Sequence, residues 1–156
     1  MRVRRAKIED VKALAALHEE VHRIHVEARP EQFQNAAEGV LEQRFREWLA
    51  ASDAKVWVAE IDGNVVGYAV QLLRHREPHP IVRERTWWEI DNLGVTAVQR
   101  SRGIGTALIQ TIAKDALESG IPDVELSSWA FNTGAHRAFE RAGFTPKHIR
   151  FELKRP

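Results

Sequence analysis

The sequence predicts an α/β or α+β sandwich, with helices packed on a mixed β-sheet. Three observations carry that prediction. Strand-like runs rich in β-branched and aromatic residues alternate with stretches at helical spacing. A glycine-bearing turn stands between one such strand and the helix after it. The length, 156 residues with 44% hydrophobic and 29% charged, suits a single domain over 1–156. A domain of that size buries about two-thirds of its unfolded surface and needs no disulfide or metal staple.

The elements follow in order. Val3 to Ala6 reads as a first strand. Asp10 is placed to cap a helix carrying Val11, Leu14, Leu17, Val21 and Ile24 at helical spacing. Residues 26–35 contain Pro30 and read as a loop, with Phe33 as its plug. Val40, Leu41, Phe45, Trp48 and Leu49 share one face of a second helix, and Lys55 to Ile61 is a strand. Asp62-Gly63 signals a hairpin, since both residues tolerate positive φ, and Val65 to Leu73 returns. Residues 74–85, with Pro78 and Pro80, read as a loop before a strand from Thr86 to Val95. In that strand Glu89, Asp91, Leu93 and Val95 share one parity, and at least one of Trp87 and Trp88 faces the core. A helix from Ile104 to Ser119 stops at Gly120 and Pro122. Val124 to Trp129 is a strand, Asn132 or Thr133 opens a helix ending at Gly143, and His148 to Lys154 alternates as a final strand.

Composition excludes several chemistries. There is no cysteine, which removes disulfide frameworks, thiol nucleophiles and Cys-based zinc sites, and fits the reducing cytoplasm expected as its location. Lys plus Arg number 23 against 22 for Asp plus Glu, without the basic surplus of a nucleic-acid binder. No apolar run backs the N-terminus or approaches a membrane span, so neither a signal peptide nor a membrane partner is expected.

The most informative stretch is Arg100-Ser101-Arg102-Gly103-Ile104-Gly105-Thr106. Its glycines allow a sharp turn and a close backbone approach. The N–H groups of the helix start that follows, aided by the helix dipole, suit a phosphate or pyrophosphate, with Arg100 and Arg102 adding charge. The dinucleotide fingerprint lacks its third glycine, and no Gly-Lys-Ser/Thr follows as in a Walker A loop.

With two further motifs the chain resembles the GNAT superfamily of acetyl-CoA-dependent N-acetyltransferases. The first signature reads Leu93-Gly94-Val95 followed by Arg100-Ser101-Arg102-Gly103-Ile104-Gly105; the second reads Asn132-Thr133-Gly134-Ala135, Phe139 and Gly143-Phe144. The resemblance implies a mostly antiparallel sheet with splayed middle strands and helices on both faces. It implies acetyl-CoA as co-substrate, its pyrophosphate on the backbone of Arg100 through Thr106. The pantetheine arm would pair with Leu93 and Val95, the Val95 N–H polarising the acetyl carbonyl and Asn132 contacting the arm or ordering the second turn. Glu89 matches the family's general base, with Asp91 in reserve. The acceptor would be a small-molecule or protein amine, and a homodimer is compatible with the resemblance.

Two features bear on alternatives. Phe139 stands where many members carry a tyrosine that protonates the leaving thiolate, so a non-catalytic acyl-CoA sensor is a second reading. His18-Glu19-Glu20-Val21-His22, extended by His25, matches the H-E-x-x-H zinc-peptidase pattern with Glu19 as base. That pattern lacks a distant third ligand, so no metal is expected, and the histidines fit better as a border of the acceptor pocket.

Overall fold

A computed structural model describes residues 1–154. Its elements are β1 (Arg2–Arg5), α1 (Val11–Ala28), α2 (Val40–Ala50), β2 (Ala54–Ile61), β3 (Asn64–Arg76), β4 (Arg85–Val95), α3 (Ile104–Glu118), β5 (Val124–Leu126) and α4 (Thr133–Arg141). The sheet runs β1-β2-β3-β4-β5; its first three pairings are antiparallel and β4 pairs with β5 in parallel. Among the described residues no helix is long and apolar enough to cross a membrane.

Two cores sandwich the sheet. On one face Leu14 and Leu17 of α1 and Phe45 and Trp48 of α2 pack on Val56, Val58, Tyr68 and Val70. On the other, Ile104, Leu108, Ile109 and Ile112 of α3 pack on Trp57, Ala59, Ala69 and Ile90, and Phe139 and Phe144 join them from the α4 region. Gln71 is fully buried, yet accepts from Trp57 Nε1 at 2.8 Å and donates to Asp115 at 3.0 Å. Lys55 holds the same carboxylate at 2.6 Å, so α3 is bonded to the sheet as well as packed on it. Losing one partner of such a network costs about 1–3 kcal/mol.

Several boundaries differ from the sequence reading. The predicted strand over His148–Lys154 is absent. Its anchors are side chains, Lys147 on Glu125 and Glu152 on Arg29, and with no neighbouring strand Ile149, Phe151 and Leu153 stand 71%, 87% and 91% exposed. β5 stops at Leu126 rather than Trp129, because only Val124–Leu126 finds β4. The 74–85 loop is shorter than expected: cross-strand pairs Arg74↔Trp87, His75↔Thr86 and Arg76↔Arg85 extend the hairpin, and the prolines interrupt only its tip. α1 runs through Ala28 into the predicted loop. Asp10 does not cap α1 with its side chain; that carboxylate instead takes two bonds from Arg4 and one from the Lys7 N–H.

Other readings match the structure. Asp62 and Gly63 turn the hairpin at φ +49° and +79°. Trp48, Trp57 and Trp88 are buried.

Candidate active site

β4 and β5 pair only over Trp88–Ile90 and Val124–Leu126, after which β4 continues to Val95 alone on that side. The gap between them is the centre of the candidate site. Within it β4 bulges. Val70 pairs with Asn92 and Gln71 with Ile90, leaving Asp91 without a partner. One extra residue switches every later side chain to the other face. The shared parity of Glu89, Asp91, Leu93 and Val95 therefore does not hold. Glu89 and Asp91 lie on the α1/α2 face, where Asp91 lines a cleft beside Trp48, whereas Leu93 and Val95 pack against the α3 core.

The backbone follows from the same register. The Thr96 N–H bonds to the Val66 carbonyl at 3.0 Å, so by alternation the N–H groups of Leu93 and Val95 point away from β3 into the gap. The Val95 carbonyl accepts the Arg100 Nε at 3.0 Å. Gly94, between them, has no space for a side chain: a Cβ would lie 2.5 Å from the Tyr68 ring and 2.8 Å from Val21.

Beyond β4 the chain makes a one-turn helix, Ala97–Gln99, and then starts α3. Gly103 precedes α3 at φ +79°, and Ser101 at φ +63° holds a conformation that side-chain-bearing residues rarely adopt. Among the described residues, the N–H groups of Ser101 through Thr106 have no acceptor; the first bond of the helix is Ala107 N–H to Gly103 O at 2.9 Å. The side chain of Ile104 is buried in the core, and Gly105 lies against Val95. These free donors, with the α3 dipole behind them, form a cradle for an anion such as a pyrophosphate.

Glu20, on α1, fixes this turn. Its carboxylate accepts the Ala97 N–H at 2.6 Å and the Thr96 hydroxyl at 3.1 Å, and lies 3.6 Å from Arg100. Arg100 is thus committed to Val95 and Glu20, whereas Arg102 is exposed. Asn132 stands at the entrance to α4, its N–H on the Trp129 carbonyl at 2.9 Å, and its side chain makes no cap bond.

The carboxylates of β4 are joined by Arg74, which lies 2.7 Å from Glu89 and 3.4 Å from Asp91. Partial desolvation, followed by the charge of Glu89, raises the Asp91 pKa from its ordinary value, so Asp91 binds a proton more readily than a free aspartate.

The histidine stripe has other duties. The buried Tyr68 hydroxyl is hydrogen-bonded to His18 Nδ1 at 2.8 Å, and burial pushes the His18 pKa down to about 4. His22 Nε2 donates to the Gln34 carbonyl at 2.8 Å, and Glu19 is exposed. Among the described residues no cluster of His, Cys, Asp or Glu is arranged to hold a metal. His22 and His25 instead stack on each other and meet Phe33 edge-on; Phe33 meets Trp129 at 5.3 Å, and His25 meets Phe131 at 5.7 Å. This aromatic wall ties the end of α1 to the segment after β5.

Sequence reasoning brought Glu89 with Asp91 correctly to one face and missed Glu20, Arg74 and Arg44. The partners of Glu20 and Arg74 lie on other elements, Arg44 lies over Trp48 of its own helix, and only the H-E-x-x-H match drew notice to the stretch containing Glu20.

Known proteins share this architecture. The model of the acetyltransferase (GNAT) family matches residues 17–144. A mycothiol acetyltransferase from Sanguibacter keddieii is 32% identical over 115 residues, covering 69% of this chain and 36% of that protein. An L-2,4-diaminobutyric acid acetyltransferase from Nocardia farcinica is 31% identical over 78 residues, covering 50% and 37%. The chain thus spans little more than a third of the length of these curated relatives, 36% and 37%. The x-ray structure of a tetramutant of the BH1408 protein from Bacillus halodurans superposes with a TM-score of 0.92 at 25% identity, over 99% of both chains.

Proposed function

The chain belongs to the acetyltransferase (GNAT) family, and from that premise we propose that it transfers the acetyl group of acetyl-CoA to a primary amine. The observation that carries this reading is the juxtaposition of two sets of unbonded donors. The N–H groups of 101–106 suit a pyrophosphate, and those of Leu93 and Val95 open into the gap beside β5.

In this reading the backbone of Arg100 through Thr106 receives the pyrophosphate of acetyl-CoA, and Leu93 and Val95 pair with the amide groups of its pantetheine arm. The Val95 N–H donates to the thioester carbonyl oxygen, where negative charge develops as the amine attacks. Glu20 keeps the turn in register with β4, and Asn132 borders the arm from α4.

An alkyl amine with a pKa near 10.4 is unprotonated in only about one molecule in 2,500 at pH 7. The amine must therefore lose a proton before or during attack. Asp91 takes it, with the raised pKa that suits a base, and Arg74, itself bonded to Glu89, holds its carboxylate in place. A new N–C bond forms, the C–S bond breaks, and CoA departs as a thiolate. Phe139 offers no hydroxyl to protonate it, and Tyr68 is fully buried with its hydroxyl hydrogen-bonded to His18. A thiol pKa near 8.5 makes the thiolate a competent leaving group without that help.

The test is product analysis. The protein incubated with acetyl-CoA and a panel of primary amines should release CoA in step with an N-acetylated amine. Binding of acetyl-CoA with no release for any amine would favour a sensor that holds the co-substrate without catalysis.

A further inference from the structure

A cleft of about 310 Å³ opens between the end of α2 and the faces of β3 and β4, with Asp91 on its wall. Its other charged lining comes from Arg44, Glu47, Asp53 and Arg74. Arg74 is already bonded to Glu89 and Asp91. Arg44 is different. Its guanidinium lies over the Trp48 ring at 4.9 Å, and among the described residues no carboxylate is within ion-pair distance of it. A guanidinium held over a buried indole keeps edge N–H groups available to take a carboxylate through two parallel bonds.

The cleft therefore presents an unpartnered cation from α2 and a proton-seeking carboxylate from β4. A simple diamine would bring its second cation towards Arg44. A dianion would meet Glu47, Asp53 and Asp91. A ligand with one carboxylate and an attacking amine satisfies both walls. The volume is that of about ten water-sized groups, the scale of a small amino acid.

We propose that the acetyl acceptor is a small amino acid whose carboxylate pairs with Arg44 while its amine faces Asp91. This rests on the acetyl-transfer reading above and adds the substrate class to it.

The experiment uses matched pairs that differ only in the carboxylate: 2,4-diaminobutyrate with 1,3-diaminopropane, ornithine with 1,4-diaminobutane, and lysine with 1,5-diaminopentane. Steady-state CoA release gives kcat and KM for each, with Arg44→Gln and Arg44→Lys compared at equal folded fraction. The parent should favour at least one amino acid over its diamine by about tenfold or more in kcat/KM, mostly through KM. Arg44→Gln should bring that ratio close to one, and Arg44→Lys should restore part of it. Turnover of the diamines as fast as the amino acids would overturn the proposal and leave acetyl transfer standing. So would a preference that persists in Arg44→Gln. CoA release with none of these six compounds would remove the proposal, and transfer itself would fall only if the wider amine panel were also silent.

Discussion

The anion cradle at the start of α3 can be tested by closing it with charge. Gly103 has φ +79°, and nothing lies within 4 Å of where its Cβ would be. Gly103→Glu therefore meets no steric neighbour. It carries two separable costs. Placing an L residue in the left-handed region costs roughly 1–2 kcal/mol of fold stability, partly offset by a carboxylate beside the positive end of a helix. The second cost appears only on binding. At roughly 5 Å and an effective dielectric of about 40, each charge of the pyrophosphate repels the new carboxylate by about 1.7 kcal/mol. Two such charges give about 3 kcal/mol, or roughly 200-fold in Kd. Gly103→Ala carries the backbone cost without the charge. Isothermal titration of acetyl-CoA into the parent and both variants, each shown to be folded by its thermal transition, separates the two. The cradle predicts a small loss for alanine and a large, salt-sensitive loss for glutamate. Equal affinities for the two variants would place the pyrophosphate away from Gly103.

Three further outcomes follow from the geometry. Asp91→Asn and Glu89→Gln should each lower kcat at neutral pH, by about 10²–10⁴-fold for the residue that takes the proton, and that loss should shrink at high pH where the amine deprotonates unaided; a pH–rate profile of each variant identifies the base. His18 has a folded pKa of about 4 against 6.5 in the unfolded chain, so the unfolded state binds the extra proton and stability falls as pH drops through 6.5 towards 4. The loss from this group amounts to about 3 kcal/mol, and denaturant titrations of the parent and His18→Gln across that window should differ in slope. Gly94→Ala places its methyl against Tyr68 and Val21 and should lower stability by about 1–3 kcal/mol, read from the midpoint of thermal or urea unfolding.

The sequence exposed those parts of the site whose chemistry is written in the backbone. A turn needing positive φ selects glycine, so Gly103 and the Asp62-Gly63 hairpin were legible from residue type, as was Gly120 at φ +77°. The α3 start was legible because its donors come from consecutive residues. The β4 bulge was not. Asp91 bulges with no glycine or proline to mark it, and the switch of face depends on the register with β3. The partners Arg74 and Glu89, or Glu20 and Ala97, meet only through tertiary contact. Alternation over 148–154 was misleading for a related reason. Period two states which side chains share a face, and a strand also needs a neighbour. Here the segment is tied by Glu152 to Arg29, and Ile149, Phe151 and Leu153 have no sheet to face.

In the proposed complex, unbonded N–H groups at 101–106 and on the free edge of β4 hold acetyl-CoA. Amide hydrogen exchange measured residue by residue, with and without saturating acetyl-CoA, tests it most directly. Exchange should slow across Ser101–Thr106 and at Leu93 and Val95, with the β1–β2 ladder unchanged. Saturable binding that leaves those amides exchanging at their free rates would contradict it.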